Sequence, residues 1–133
     1  MSEKPWAHLP NAKHIDAVLA DARKRPGAWD AARTAVRRAA WGAAWTAAWD
    51  EARDAARDAA WDAAWDAAQR AARDAAWGAA WGAIAALVTW DSSADLLECT
   101  PDVLRAMIDL AEPPVCHQAV LLLPYAIVRS NNK

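Results

Sequence analysis

Between Trp29 and Ile84 this 133-residue chain divides, without insertion, into fourteen four-residue units. The first position of a unit is Trp (29, 41, 45, 49, 61, 65, 77, 81), Arg (33, 37, 53, 57, 73) or Gln69. The second is mostly Asp (30, 50, 54, 58, 62, 66, 74), with Gly at 42, 78 and 82. The third and fourth are almost always Ala, with Val36, Glu51 and Ile84 as exceptions. Alanine is the best helix former, the stretch holds no proline, and the period of two that a strand needs is absent. The repeat is therefore helical.

A four-residue step overshoots one helical turn by about 40°, so the Trp/Arg row creeps around the axis and cannot face one straight partner throughout. The period lies on the far side of 3.6 from the heptad's 3.5, which excludes a left-handed coiled coil. A row at i, i+4, i+8 is instead a ridge between alanine grooves, suited to helices crossing at about −50°. From Trp45 the ridge repeats every sixteen residues: Trp, Trp, Arg, Arg; then Trp, Trp, Gln, Arg; then Trp, Trp. One continuous helix would reach on the order of 90 Å, a poor shape for 14.4 kDa. The expectation is an all-α, compact bundle of crossing helices in a single domain, residues 1–133. Gly42, Gly78 and Gly82 are its weakest helix positions. Residues 43–77 contain no breaker, so no turn is placed there. The small-residue spacing Gly78-Ala-Ala-Trp-Gly82 permits close approach and predicts that its helix is the central one.

The flanks are more ordinary. In residues 1–27, Ile15, Val18, Leu19 and Ala22 share helical spacing, Asn11 is placed as N-cap, and Arg25-Pro26-Gly27 ends the helix. Tetrad helices occupy 28–90. In 91–133, Thr100, Pro101 and Asp102 mark a helix start, Pro113-Pro114 its end, and a last apolar segment is expected to kink or break at Pro124.

A net charge of −2 gives no electrostatic footprint for duplex nucleic acid. No apolar run is long enough to span a membrane, and the opening MSEKPWAHLP lacks a signal peptide's apolar stretch, so a cytoplasmic protein with reduced Cys99 and Cys116 is expected. The Asp row sets like charges at i, i+4, which is unfavourable. It reads either as a solvated face, with Arg partners three or four residues on, or as carboxylates accepting from Trp indoles of neighbouring helices.

Signals for chemistry are mostly missing. His8, His14 and His117 have no ligand or triad spacing, and there is no phosphate loop, GxSxG or HExxH. No catalytic residue, metal or cofactor is assigned. What remains is Trp interleaved with Arg: an aromatic platform for a base and a guanidinium for a phosphate. The arginines that follow Trp clusters give the candidate ligand-binding set Trp49, Arg53, Arg57, Trp61, Arg73 and Trp77. Most tetrad tryptophans are expected in the core.

The stretch AAWDAAWDAAQRAARDAAWGAAWGA, with ALVTWDSSADLLECTPDVLRAMIDL and HQAVLLLPYAIV after it, resembles small Ala/Trp-rich tetrad proteins encoded by bacteriophages. The Ala-rich part is also similar to the all-α Imm-5-like immunity proteins. The resemblance covers residues 29–128 and carries over no catalytic residue. It implies phage–host conflict in a bacterial cytoplasm, where small non-enzymatic proteins bind a host defence protein or sequester a nucleotide signal. Two readings follow. In one, an oligomeric binding protein holds a nucleotide or cyclic oligonucleotide through Trp stacking and Arg–phosphate contacts. In the other, the Trp ridges pack helices or inhibit a protein partner, with no small ligand.

Overall fold

The tetrad repeat does not form one helix. In the computed structural model, which describes residues 6–36, 42–58, 61–76, 80–110, 112 and 114–131, it contributes to four: α2 (Pro26–Val36), α3 (Gly42–Asp58), α4 (Asp62–Ala76) and α5 (Trp81–Thr89). Before them runs α1 (Ala12–Lys24); after them come a 3-10 turn (Asp91–Leu96), α6 (Pro101–Leu110) and α7 (Val115–Asn131). The architecture is an all-α bundle, as the sequence predicts. In sequence, the gaps between the repeat helices contain Trp41, Trp61 and Trp77, the points where the ridge passes from Arg back to Trp. These tryptophans follow one another at twenty and then sixteen residues, so each Trp-to-Trp block of the ridge corresponds to about one helix. The stripe is cut before it has turned to the far side. At the junction that 43–77 concealed, the Trp61 amide donates to the Ala56 carbonyl at 2.9 Å. This five-residue closure is the bond that ends many helices.

Within each helix the four positions of the unit have separate fates. The fourth is the seam: Ala32, Val36, Ala48, Ala52, Ala56, Ala64, Ala68, Ala80 and Ile84 are all 0–1% exposed. The second lies about 200° away around the axis, and Asp30, Thr34, Thr46, Asp50, Asp54, Asp62, Asp66 and Arg70 are all exposed. Tryptophan at the first position flanks the seam and is not itself the whole contact. Trp29, Trp65 and Trp81 are buried; Trp45, Trp49 and Trp61 are half-buried against the core. The solvated-face reading of the Asp row thus holds for its described members, and no indole bond to them is found among the described residues. Indole–carboxylate bonds do form, but to α1: Trp29 Nε1–H donates to Asp21 at 2.7 Å and Trp6 Nε1–H to Asp16 at 3.0 Å.

Helix α5 is the spine. All nine residues, Trp81 to Thr89, are buried, and it packs against α1, α3, α4 and α7. Gly82 makes this possible: a Cβ there would sit 2.3 Å from Cη2 and 2.6 Å from Cζ2 of Trp45. The close approach expected from the small-residue spacing is therefore made by an indole lying on the α5 backbone. Thr89 Oγ1 ties α5 to α3 by donating to the Ala52 carbonyl at 2.9 Å. Val120–Leu123 of α7, all 0% exposed, form the other half of the core.

One local expectation is corrected and two are made more specific. Asn11 makes no side-chain cap bond to α1. Its amide instead donates to the carbonyls of Leu87, Trp90 and Asp91 at 3.0–3.2 Å, tying α1 to the end of α5 and the start of the 3-10 turn. Arg25-Pro26-Gly27 ends α1 but also starts α2, with Pro26 at the first helical position, where a missing N–H costs nothing. Helix α7 runs through Pro124 without a break. The start of α6 is as predicted, with the Val103 amide donating to Thr100 Oγ1 at 3.3 Å.

Candidate functional site

Helices α3 and α4 follow one another in the chain, yet each packs mainly elsewhere: α3 on α7 and α5, α4 on α5 and α1. A cleft of about 400 Å³ lies between them, lined by Trp49, Arg53 and Arg57 of α3 and by Asp62, Trp65, Asp66 and Gln69 of α4. That volume is within the range of about 300–1,000 Å³ usual for small-molecule sites. Three of the six sequence-predicted site residues, Trp49, Arg53 and Arg57, are brought together here. Trp61 sits in the α3–α4 junction, half-buried against the core, and does not line the cleft. The side chain of Arg73 and all of Trp77 lie outside the described residues.

The α3 wall follows from the period. Residues 49, 53 and 57 are one step apart on the ridge, so they form a column. The Arg53 guanidinium carbon lies 5.8 Å from the centroid of the Trp49 ring, a cation–π distance. Arg57 is in the last turn of α3 and Asp62 in the first turn of α4. Each charge suits the helix dipole at its own end.

The α4 wall was missed by the sequence reading. Trp65, sixteen residues after Trp49, meets it across the cleft with ring centroids 6.0 Å apart at 63°. Its other neighbour is Trp81 of α5, at 4.7 Å and 72°. Both are edge-to-face contacts, and Trp65 is only 5% exposed. It fixes the cleft floor and offers no open face. Stacking falls to half-buried Trp49 and to the plane of Arg53. The corresponding residues Trp49 and Trp65 of two units thus face each other, and Arg53 and Gln69 both line the cleft. The sixteen-residue period carried that signal, and a helix break between Asp58 and Asp62 would have exposed it.

Arg53 and Arg57 on one wall, Asp62 and Asp66 on the other, are exposed. Among the described residues no ion pair within 4.0 Å joins them. The two charges of each sign stand across the cleft and do not cancel at contact distance.

A second group of titratable residues lies where α3 meets α7. His117 Nδ1 is 2.6 Å from Glu51 Oε2, a close approach outside hydrogen-bond alignment. Burial, and then the Glu51 carboxylate, push the adjacent Cys116 thiol above its ordinary value, the opposite of what activates a nucleophile. Cys99 and Cys116 are both free thiols. Among the described residues no group of three or more His, Cys, Asp or Glu could hold a metal ion, and no helix is long and apolar enough to cross a membrane. Compared with protein-family models, with curated proteins and with solved structures, the chain matches none.

Proposed function

We propose that this chain is a non-enzymatic binding protein that holds a nucleotide-type ligand in the α3–α4 cleft. The observation that carries the reading is the cleft's unpaired polarity. A guanidinium pair that lines a cavity without carboxylate contacts is ready for phosphate oxygens, which accept from Arg in short, charge-assisted bonds. Trp49, with Arg53 over its ring, gives a flat surface for a base. In the phage–host setting implied by the resemblance, such a protein counters defence by sequestering a signalling nucleotide in the bacterial cytoplasm.

Isothermal titration with mononucleotides and cyclic dinucleotides tests this. Arg53→Ala and Arg57→Ala each weaken binding by about ten-fold or more, with the thermal melt unchanged because both side chains are exposed. If no nucleotide binds, the reading fails. If the variants unfold, the arginines are structural.

The second reading has its own support: Trp29, Trp65 and Trp81 are spent inside the chain's own core. A repeat whose indoles pack helices needs no small ligand, and its partners are then a host protein or further copies of itself. In that case nucleotides leave the melt unmoved, and light scattering or capture of a partner shows an assembly.

A further inference from the structure

Resting on the nucleotide reading, we infer that the cleft selects a guanine base, with Asp66 and Gln69 reading its edge and Arg53 and Arg57 holding its phosphate. Trp45–Ala60 and Trp61–Ala76 are successive units of one pattern, and the cleft is built from both. Had they been identical, the α4 wall would carry an arginine in place of Gln69 and a threonine in place of Asp62, beside Asp66. Of the four departures between the units, two fall on the cleft lining: Asp62 stands where the first unit has Thr46, and Gln69 where it has Arg53. The α3 wall is left with cations, and the α4 wall with carboxylates and an amide.

A ligand that satisfies both walls carries its negative charge at one end and hydrogen-bond donors at the other. A carboxylate accepts and never donates when ionised. Guanine alone among the common bases offers two adjacent donors on its pairing edge, N1–H and the exocyclic amine, with the O6 acceptor beside them. Adenine and cytosine each set a ring-nitrogen acceptor next to their amine, which a carboxylate repels. Uracil has one donor between two acceptors. Asp66 and Gln69 lie three residues apart on one face of α4, so their side chains are neighbours. The carboxylate takes the two donors and the Gln69 amide N–H donates to O6. Asp62, in the first turn of α4, answers mainly to the helix N-terminus. Phosphate sits away from these acids, on Arg53 and Arg57. The cleft volume of about 400 Å³ is at the small end for ligand sites, which favours a mononucleotide over a cyclic oligonucleotide.

The test is titration calorimetry with GMP, IMP, AMP, CMP and UMP at one ionic strength, on the full chain and on Asp66→Asn. GMP should bind roughly ten- to a hundred-fold tighter than AMP, with IMP, which lacks the exocyclic amine, in between. Asp66→Asn should remove the preference for GMP over IMP and leave phosphate-driven binding and the melt in place. If the five nucleotides bind within about three-fold of one another, the base inference is overturned and the nucleotide reading stands. If Asp66→Asn keeps the full preference, the assignment of Asp66 is wrong. If none binds to the folded protein, both fall together.

Discussion

Helices α4 and α5 follow one another in the chain and pack together, and their opening units are near copies: Trp61-Asp62-Ala63-Ala64 and Trp81-Gly82-Ala83-Ile84. Helix α4 exposes Asp62, Ala63 and Asp66, while α5 exposes nothing. What separates them is the second position. Asp opposite the alanine seam keeps that face in water, because an unpaired buried carboxylate is very costly. Glycine removes the charge and the Cβ together, so the indole of Trp45 can lie on the helix and close its last open side. In the opening unit the second position thus separates a polar face from a buried one, and past Ile84 the uncharged run Ala85–Thr89 keeps the rest of α5 buried.

The sharpest way to break this comparison is to give α5 the residue of α4. Gly82→Asp should cost more than about 4 kcal/mol, from an unpaired buried charge added to the clash with Trp45, and leave no cooperative urea transition. Next is the seam. Ala52→Leu inserts a branched side chain at a position that is 0% exposed and should cost about 1–3 kcal/mol by overpacking, read as a lowered urea midpoint. Ala63→Leu, on the exposed side of α4, should be close to neutral. Asn11→Ala removes the side-chain donor shared by the Leu87, Trp90 and Asp91 carbonyls, of which Trp90 keeps the Ser93 amide, and should cost about 1–3 kcal/mol, while a surface change such as Asp54→Ala should stay within about 0.5 kcal/mol. The smallest effect is on pH. Burial first, and Glu51 next, raise the Cys116 thiol from its ordinary 9.0. The folded chain therefore keeps this proton to higher pH than the unfolded chain does. Stability from this group is full below about pH 9 and is lost as pH rises through the folded value. Tyr125, raised from 10.0 mainly by burial, adds to the loss at higher pH. Cys116→Ala should flatten the first part of that decline in melts from pH 8 to 11.

Much of this was readable from the residues. Alanine and the absence of proline made the repeat helical, and its length against the mass of the chain made it several helices. Gly82 marked the spine. The break between Asp58 and Asp62 was not readable, because Asp and Ala continue unchanged on both sides and the change from Arg57 to Trp61 on the ridge is no helix breaker. Asn11 misled for a related reason: an Asn before a helix is a cap by local rules, but a tertiary partner, the end of α5, outbid those rules. For the site, the ridge period alone assembled Trp49, Arg53 and Arg57. The facing wall depended on where the helix turned, so Trp65 was missed and Trp61, at the turn itself, was taken in its place.

The central functional claim is that the α3–α4 cleft is where a ligand meets an indole, and tryptophan fluorescence during GMP titration tests it most directly. Trp49 is the half-buried indole of that cleft, while Trp65 is buried and Trp61 lies outside its lining. The account predicts a saturable fluorescence change in the full chain that is lost in Trp49→Phe and kept in Trp61→Phe, both variants remaining folded. A change that survives Trp49→Phe, or none in the full chain, would contradict it.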